Sequence, residues 1–277
     1  DVVEIAVNDG KPIMNELLYG NIEGIKVDED GKTVAGALIG LFRADETEFT
    51  ADNALMTDIS DENGVFSFND VVYGHWIISE IEQPEGFILS LEVHHVYINS
   101  DDMTIEITME NEHIKGNVQL TKLDEDYPDN KLTGAEFKIY SDVNGDGKLD
   151  EGDTFVGTLA ETEIGIYELK DLYYGKYLCF ESVAPVGFEL DTNVYAFEIK
   201  NHGETVMVEN EAGVGFLNKA QLGSLVISKT SEDGVLEGFE FVVEGVDFLG
   251  NEYSENFVTD AEGKITVNIR PGKYEVY

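Results

Sequence analysis

Apolar and polar positions alternate along most of this chain in short runs. Val65-Phe66-Ser67-Phe68 and Val194-Tyr195-Ala196-Phe197-Glu198-Ile199 are typical. β-branched and aromatic residues recur with a period of two and stop at Gly, Asn or Asp. No long stretch carries the period of an amphipathic helix. The pattern predicts an all-β chain.

The runs also recur as a set. Gly20-Asn-Ile-Glu-Gly-Ile-Lys26, Gly116-Asn-Val-Gln-Leu-Thr-Lys122 and Gly223-Ser-Leu-Val-Ile-Ser-Lys229 align, with the Lys six residues after the Gly each time. Gly36, Gly134 and Gly238 each precede a strand. Turn glycines follow at Gly64, Gly165 and Gly263, and again at Gly74, Gly175 and Gly272. Glu80-Ile-Glu-Gln-Pro84-Glu-Gly86-Phe matches Glu181-Ser-Val-Ala-Pro185-Val-Gly187-Phe, and Asn15, Asn111 and Asn218 each stand five residues before an opening Gly. The repeat is domain-sized, about 100 residues, and too long for a solenoid. Residues 1–19 read as the tail of a preceding copy, 20–115 and 116–222 as whole domains, and 223–277 as the first part of a third. Seven or so strands in each whole copy predict a two-sheet sandwich. The near absence of linker predicts a stiff rod cut from a longer tandem array.

Strand parity assigns faces. Val118, Leu120 and Lys122 share one face, as do Leu225, Ile227 and Lys229, and Ile22 and Lys26. Glu80 falls with Trp76 and Ile78, Glu181 with Tyr177 and Cys179, and Asn111 with Ile105, Ile107 and Met109. Each whole copy therefore aims a Lys, a Glu and an Asn at its core. A buried charged Lys is costly unless paired or neutral. One reading is a Lys–Glu ion pair beside a satisfied Asn. The other is covalent. Desolvation favours a neutral amine, which is a nucleophile, and a neutral carboxylic acid, which can polarise an amide and shuttle protons. Attack on the Asn side chain would expel ammonia and leave an isopeptide bond, with enclosure in the core supplying the effective molarity.

Charge and composition narrow the partners. Seventeen basic residues against 57 acidic ones give a net charge of −40, which excludes a phosphate-tracking nucleic-acid binder and opposes docking on anionic lipid. The single Cys179 excludes an intrachain disulfide and a Cys-based zinc site. No apolar run is long enough to span a membrane. Phosphate-loop, zinc and Ser–His–Asp patterns are missing, and His94 and His95, being adjacent, face opposite ways on a strand. Asp28–Gly31 and Asp124–Asp126 read as exposed turns. The segment Asp142-Val-Asn144-Gly-Asp146-Gly147-Lys148-Leu-Asp150-Glu-Gly-Asp153 has the spacing of a twelve-residue calcium loop. Its ligands would be Asp142, Asn144, Asp146, the Lys148 carbonyl, Asp150 and Asp153, with Asp where a bidentate Glu is usual. The plain alternative is a solvated turn. Calcium, if held, would be structural.

The stretch from Gly116 to Lys122, Leu132-Thr-Gly134-Ala-Glu-Phe, and Tyr177-Leu-Cys-Phe-Glu181-Ser-Val-Ala-Pro185-Val-Gly187-Phe together resemble the SpaA-type, prealbumin-like pilin domain. This is also called the collagen-adhesin B-type domain of Gram-positive surface proteins. The resemblance implies tandem transthyretin-like (Ig-like) β-sandwiches closed by intramolecular Lys–Asn isopeptide bonds. By position, Lys26 would join Asn111 with Glu80 catalytic, and Lys122 would join Asn218 with Glu181 catalytic. Lys229 and Asn15 would be the orphaned halves of cut copies. Gln83 departs from the Ala usual in the box. Asn210, on an inward register with Val206 and Val208, is a rival acceptor to Asn218.

The expected function is a structural stalk of an extracellular, cell-wall-associated surface protein, pilin or adhesin. Its only chemistry would be single-turnover self-cross-linking, and its partners would be neighbouring repeats. The alternatives are domains that themselves bind a host or matrix ligand, or accessory modules of a large secreted enzyme. A host ligand could also be held by regions outside this segment.

Overall fold

The structure, a computed structural model, describes residues 16–210 and 213–277, and every regular element among them is a strand. The first copy contains β1 (Tyr19–Asp28), β2 (Leu38–Arg43), β3 (Met56–Ile59), β4 (Val65–Val72), β5 (Gly74–Glu82), β6 (Val93–Ile98) and β7 (Met103–Asn111). They form two sheets, ordered β4-β1-β7 and β3-β2-β5-β6. The first and last strands run side by side and parallel, from Gly20↔Met103 to Asp28↔Asn111. Side chains of β1 alternate strictly in burial as period two requires. Ile22, Ile39, Leu41, Phe66, Phe68, Ile78 and Met109 fill the space between the sheets.

The second copy contains β8 (Lys115–Asp124), β9 (Glu136–Ser141), β10 (Thr154–Thr158), β11 (Ala160–Glu163), β12 (Ile166–Tyr173), β13 (Gly175–Val183), β14 (Val194–Ile199), β15 (Thr205–Met207) and β16 (Phe216–Asn218). Its sheets are β10-β9-β13-β14 and β11-β12-β8-β15, with β16 also on β8. The part played by β7 is here split in two. β15 pairs from Thr205↔Asn117 to Met207↔Gln119, and after a loop β16 pairs from Phe216↔Lys122 to Asn218↔Asp124. Asn111 and Asn218 therefore sit opposite equivalent residues, Asp28 and Asp124, although the second copy carries extra chain before its Asn.

The third copy contains β17 (Gly223–Ser228), β18 (Glu240–Asp247), β19 (Glu252–Val258), β20 (Lys264–Ile269) and β21 (Gly272–Val276), in sheets β17-β20 and β19-β18-β21. The chain divides into two compact units. One holds the first copy with Lys200–Glu204, the other Asn117–Ile199 with Thr205–Tyr277. The second and third copies thus share a unit.

The acidic turns need a correction. Asp30 and Asp126 are exposed as expected, but Asp28 and Asp124 are buried. Each lies two residues beyond its Lys at the end of a strand, so parity carries it to the inner face. The Asp28 carboxylate is satisfied there by the amides of Asp30 and Lys32, at 2.9 and 2.8 Å.

Candidate cross-linking site

The backbone sets each Lys by the same device. The Lys26 N–H donates to the Gly64 carbonyl at 2.7 Å, Lys122 to Gly165 at 2.8 Å, and Lys229 to Gly263 at 2.8 Å. All three glycines have positive φ, between 66° and 75°. A Cβ on any of them would lie within 3.0 Å of the carbonyl oxygen of that Lys. Glycine is required at this turn because it packs directly on the Lys backbone.

In the first domain Lys26 is fully buried, with Nζ 3.6 Å from Glu80 Oε1. Nζ also donates to the Glu110 carbonyl at 3.2 Å. Asn111 Nδ2 donates to Glu80 Oε2 at 2.8 Å and to the Ile88 carbonyl at 2.6 Å. Glu80 Oε1 and Asn111 Oδ1 are buried acceptors with no hydrogen-bond partner. Burial pushes the Lys26 amine below its ordinary range, against the opposing pull of the Glu80 charge.

The second domain repeats the arrangement. Lys122 is fully buried with Nζ 3.6 Å from Glu181 Oε1, and it donates to the Phe216 carbonyl at 3.1 Å and to Asn218 Oδ1. Asn218 Nδ2 spans the Glu181 carboxylate, 3.0 Å from Oε1 and 2.8 Å from Oε2. Burial pushes the Lys122 amine down to about 8, against the charges of Glu181 and Asp191. Asn218 also borders an open groove of about 910 Å³ whose walls carry Glu125, Glu189, Asp191 and Glu209.

The Pro-x-Gly-aromatic box acquires a structural reason. It turns the chain just after the Glu strand, Phe87 and Phe188 donating to the carbonyls of Pro84 and Pro185. It then pairs with the residues just past the Asn. Ile88 and Glu189 donate to the carbonyls of Glu112 and Lys219, and Ile114 and Gln221 donate to Gly86 and Gly187, all at 2.8 Å. The box therefore ties the segment bearing the Asn to the strand bearing the Glu.

Sequence reasoning missed one partner in each site. Ser90 N–H donates to Glu80 Oε2 at 2.6 Å, and Asp191 N–H to Glu181 Oε2 at 2.8 Å. The donor stands ten residues after the Glu both times. That recurrence was available in the alignment of copies, but the two side chains differ and only the backbone acts.

Asn210 is half-buried and caps a turn, its Oδ1 accepting from Val214 N–H at 3.2 Å. Lys122 is brought to Asn218 instead. Lys229 is partly exposed, donates to the Thr230 carbonyl at 2.9 Å and lies 4.8 Å over the Phe239 ring. Asn15 lies outside the described residues. Cys179 is buried in the second core, where burial pushes its thiol far up, so it is an inert packing group.

In the 142–153 loop the side chains hold the loop's own amides. Asp142 Oδ1 and Oδ2 accept from Gly145 and Gly147 at 2.8 and 3.0 Å, Asn144 from Asp146 at 3.0 Å, and Asp146 from Lys148 at 2.9 Å. Asp153 accepts from Val143 and Asp150, while Asp150 accepts from the Asn144 amide. The donor set is all oxygen and suits a hard cation. Among the described residues, however, no three His, Cys, Asp or Glu side chains converge on one point. No described helix is long and apolar enough to cross a membrane.

Among solved structures, the Bacillus anthracis TIE protein is similar at 25% identity and a TM-score of 0.71, over 94% of this chain and 45% of that one. This chain thus spans less than half of that protein's length. BcpA, the major pilin subunit of Bacillus cereus, aligns at 14% identity and a TM-score of 0.42, over 93% of this chain and 87% of that one. A C-terminal fragment of the pilus adhesin SpaC from Lactobacillus rhamnosus GG aligns at 15% identity and a TM-score of 0.45, over 73% and 98%. No match is found among curated proteins. The family described as SpaA: Prealbumin-like fold domain matches residues 20–113 and again 116–212. Two matches in tandem take in well over half of the residues, and the chain belongs to the SpaA prealbumin-like fold domain family.

Proposed function

We propose that this chain is a stalk segment of a Gram-positive, cell-wall-associated surface protein or pilin. Its whole domains, 20–115 and 116–222, would each be closed by a self-formed Lys–Asn isopeptide bond, with 223–277 beginning the next repeat. The observation that carries the proposal is the recurrence of one fully buried Lys–Glu–Asn cluster, at one strand register, in two successive domains.

The chemistry follows from the inventory of protons. Lys and Glu share one proton between them. Moving it from the amine to the carboxyl leaves a neutral nucleophile and a neutral acid, which a dry site favours over the ion pair. In the first domain that proton is also the donor missing from a cluster with two orphaned acceptors. Lys Nζ then attacks Asn Cγ while the carboxyl protonates the departing amide nitrogen and takes a proton back from Nζ. The Cγ–Nδ2 bond breaks, ammonia leaves, and the new Cγ–Nζ bond remains. In the second domain the acidic groove beside Asn218 offers ammonia a way out. Each bond forms once, on the protein's own side chains.

Intact mass tests this directly. The purified chain should weigh two ammonia molecules less than its sequence, and Glu80→Ala and Glu181→Ala should each restore one. Full sequence mass in folded protein would leave only buried ion pairs and end the proposal.

We further propose that the 142–153 loop takes a structural calcium ion, which would gather Asp142, Asn144, Asp146, Asp150 and Asp153 from their present amide partners. Ligand binding to the folded state alone raises stability. Calcium should therefore raise the melting temperature of the chain and slow proteolysis within 142–153, and Asp142→Ala with Asp146→Ala should abolish both effects. A calcium-independent wild type would reduce the loop to a turn.

A further inference from the structure

Arg270 follows β20 in the third copy, yet most of its partners belong to the second. Its side chain is 8% exposed, and the Asp124 side chain not at all. Nη1 lies 2.5 Å from Asp124 Oδ2 and Nη2 2.6 Å from Asp124 Oδ1, a two-pronged pairing of guanidinium and carboxylate. Nη2 also reaches Asp126 Oδ2 at 2.6 Å, and Nη1 lies 3.4 Å from Asp247 Oδ2. The guanidinium carbon sits 4.8 Å from the centre of the Tyr127 ring and 5.9 Å from that of Phe188. Three carboxylates and two aromatic rings thus converge on one buried cation.

The surroundings are fitted to it. Asn130 Nδ2 donates to Asn251 Oδ1 at 2.7 Å. Phe248 packs edge-on against Phe188, and a Cβ at Gly187 would lie 2.9 Å from the Phe248 ring. The box glycine therefore also leaves room for the following repeat.

The position of Asp124 gives the contact its meaning. It ends β8, opposite Asn218 in the β8–β16 register, and the next amide, Glu125 N–H, donates to the Asn218 carbonyl at 3.0 Å. The guanidinium grips the strand end that holds the acceptor Asn.

We propose that Arg270 is an inter-repeat lock, fixing a repeat onto the closing strand pair of its predecessor. The partner recognised is the neighbouring repeat of the same chain. Its mechanical meaning rests on the stalk reading, since load leaving the third copy would enter the cross-linked ring through Arg270 as well as through residues 219–222. The lock has a sequence rule. It needs an Asp two residues after the Lys of one repeat and an Arg two residues before the second turn Gly of the next. Val72 and Tyr173 occupy that second position in the other copies, so the rule selects which joints are pinned. A one-sided change is severe because the buried Asp124 loses the guanidinium paired with it.

Amide hydrogen exchange on the full 277-residue chain tests the lock. Arg270→Gln should speed exchange at 124–130, 185–190 and 247–251 by roughly tenfold or more while leaving the interior of β13 unchanged. Asp126→Asn, which removes the most exposed partner, should give a smaller acceleration at 247–251. Wild-type rates at 124–130 and 185–190 in Arg270→Gln would overturn the lock. If that variant unfolds the third copy outright, Asp126→Asn decides. Faster exchange at 247–251 supports the lock, and wild-type rates there overturn it. Intact mass of the same samples reports ammonia loss separately, so a missing cross-link and a missing lock are told apart.

Discussion

Pulled from its two ends, each whole domain should show no unfolding step of full domain length. β1 and β7 lie side by side and parallel, and β8 is flanked in the same way by β15 and β16. Tension on the termini therefore loads these pairs in shear. The proposed bond from Lys26 to Asn111 would shunt the load past everything between them. The shunted chain would otherwise extend by about 300 Å at the reach of an extended backbone. Noncovalent stability does not enter, because no force below bond rupture lengthens a segment between two joined points. Lys26→Ala and Lys122→Ala should each release one full-length step in single-molecule stretching. Equal extension of wild type and variants would show that no covalent bond carries the load.

Removing the Glu should destabilise the second domain more than removing the Lys. Both variants would lose the proposed cross-link between positions 96 residues apart. By loop entropy that bond would stabilise the fold by about 4–5 kcal/mol. Lys122→Met also removes the buried cation and leaves an apolar chain of similar reach among Val118, Leu120 and Phe216. Glu181→Ala instead strands Lys122 in the core without its carboxylate, and breaking a buried pair from one side costs about 3–5 kcal/mol more. Urea unfolding followed by Tyr fluorescence should rank stability as wild type, then Lys122→Met, then Glu181→Ala. If Glu181→Ala matches Lys122→Met, Lys122 is neutral or solvated once its partner is gone, and the ion-pair part of the argument fails.

How much of this was readable in the sequence follows from what strand parity can report. Period two places Lys26, Glu80 and Asn111 on inward faces because successive side chains must alternate. Recurrence of the glycines exposes the repeat because a positive-φ turn packed on a Lys carbonyl admits no other residue. Those features are local, and one copy confirms another. Parity tells which side a residue faces, however, and not which inward residues meet. Asn210 and Asn218 are both candidates by parity. The five-residue offset to the next opening Gly favours Asn218, and the loop between β15 and β16, which shifts the pairing so that Asn218 falls opposite Asp124, is what puts it rather than Asn210 beside Lys122. The acidic loop shows the same limit, since its spacing suits calcium while its carboxylates fold back onto neighbouring amides. Asp124 reads as one more turn residue until Arg270, 146 positions away, arrives on it. Parity turns Asp124 inward, but the countercharge that meets it lies on another copy, so that pairing exists only once the second and third copies have packed together.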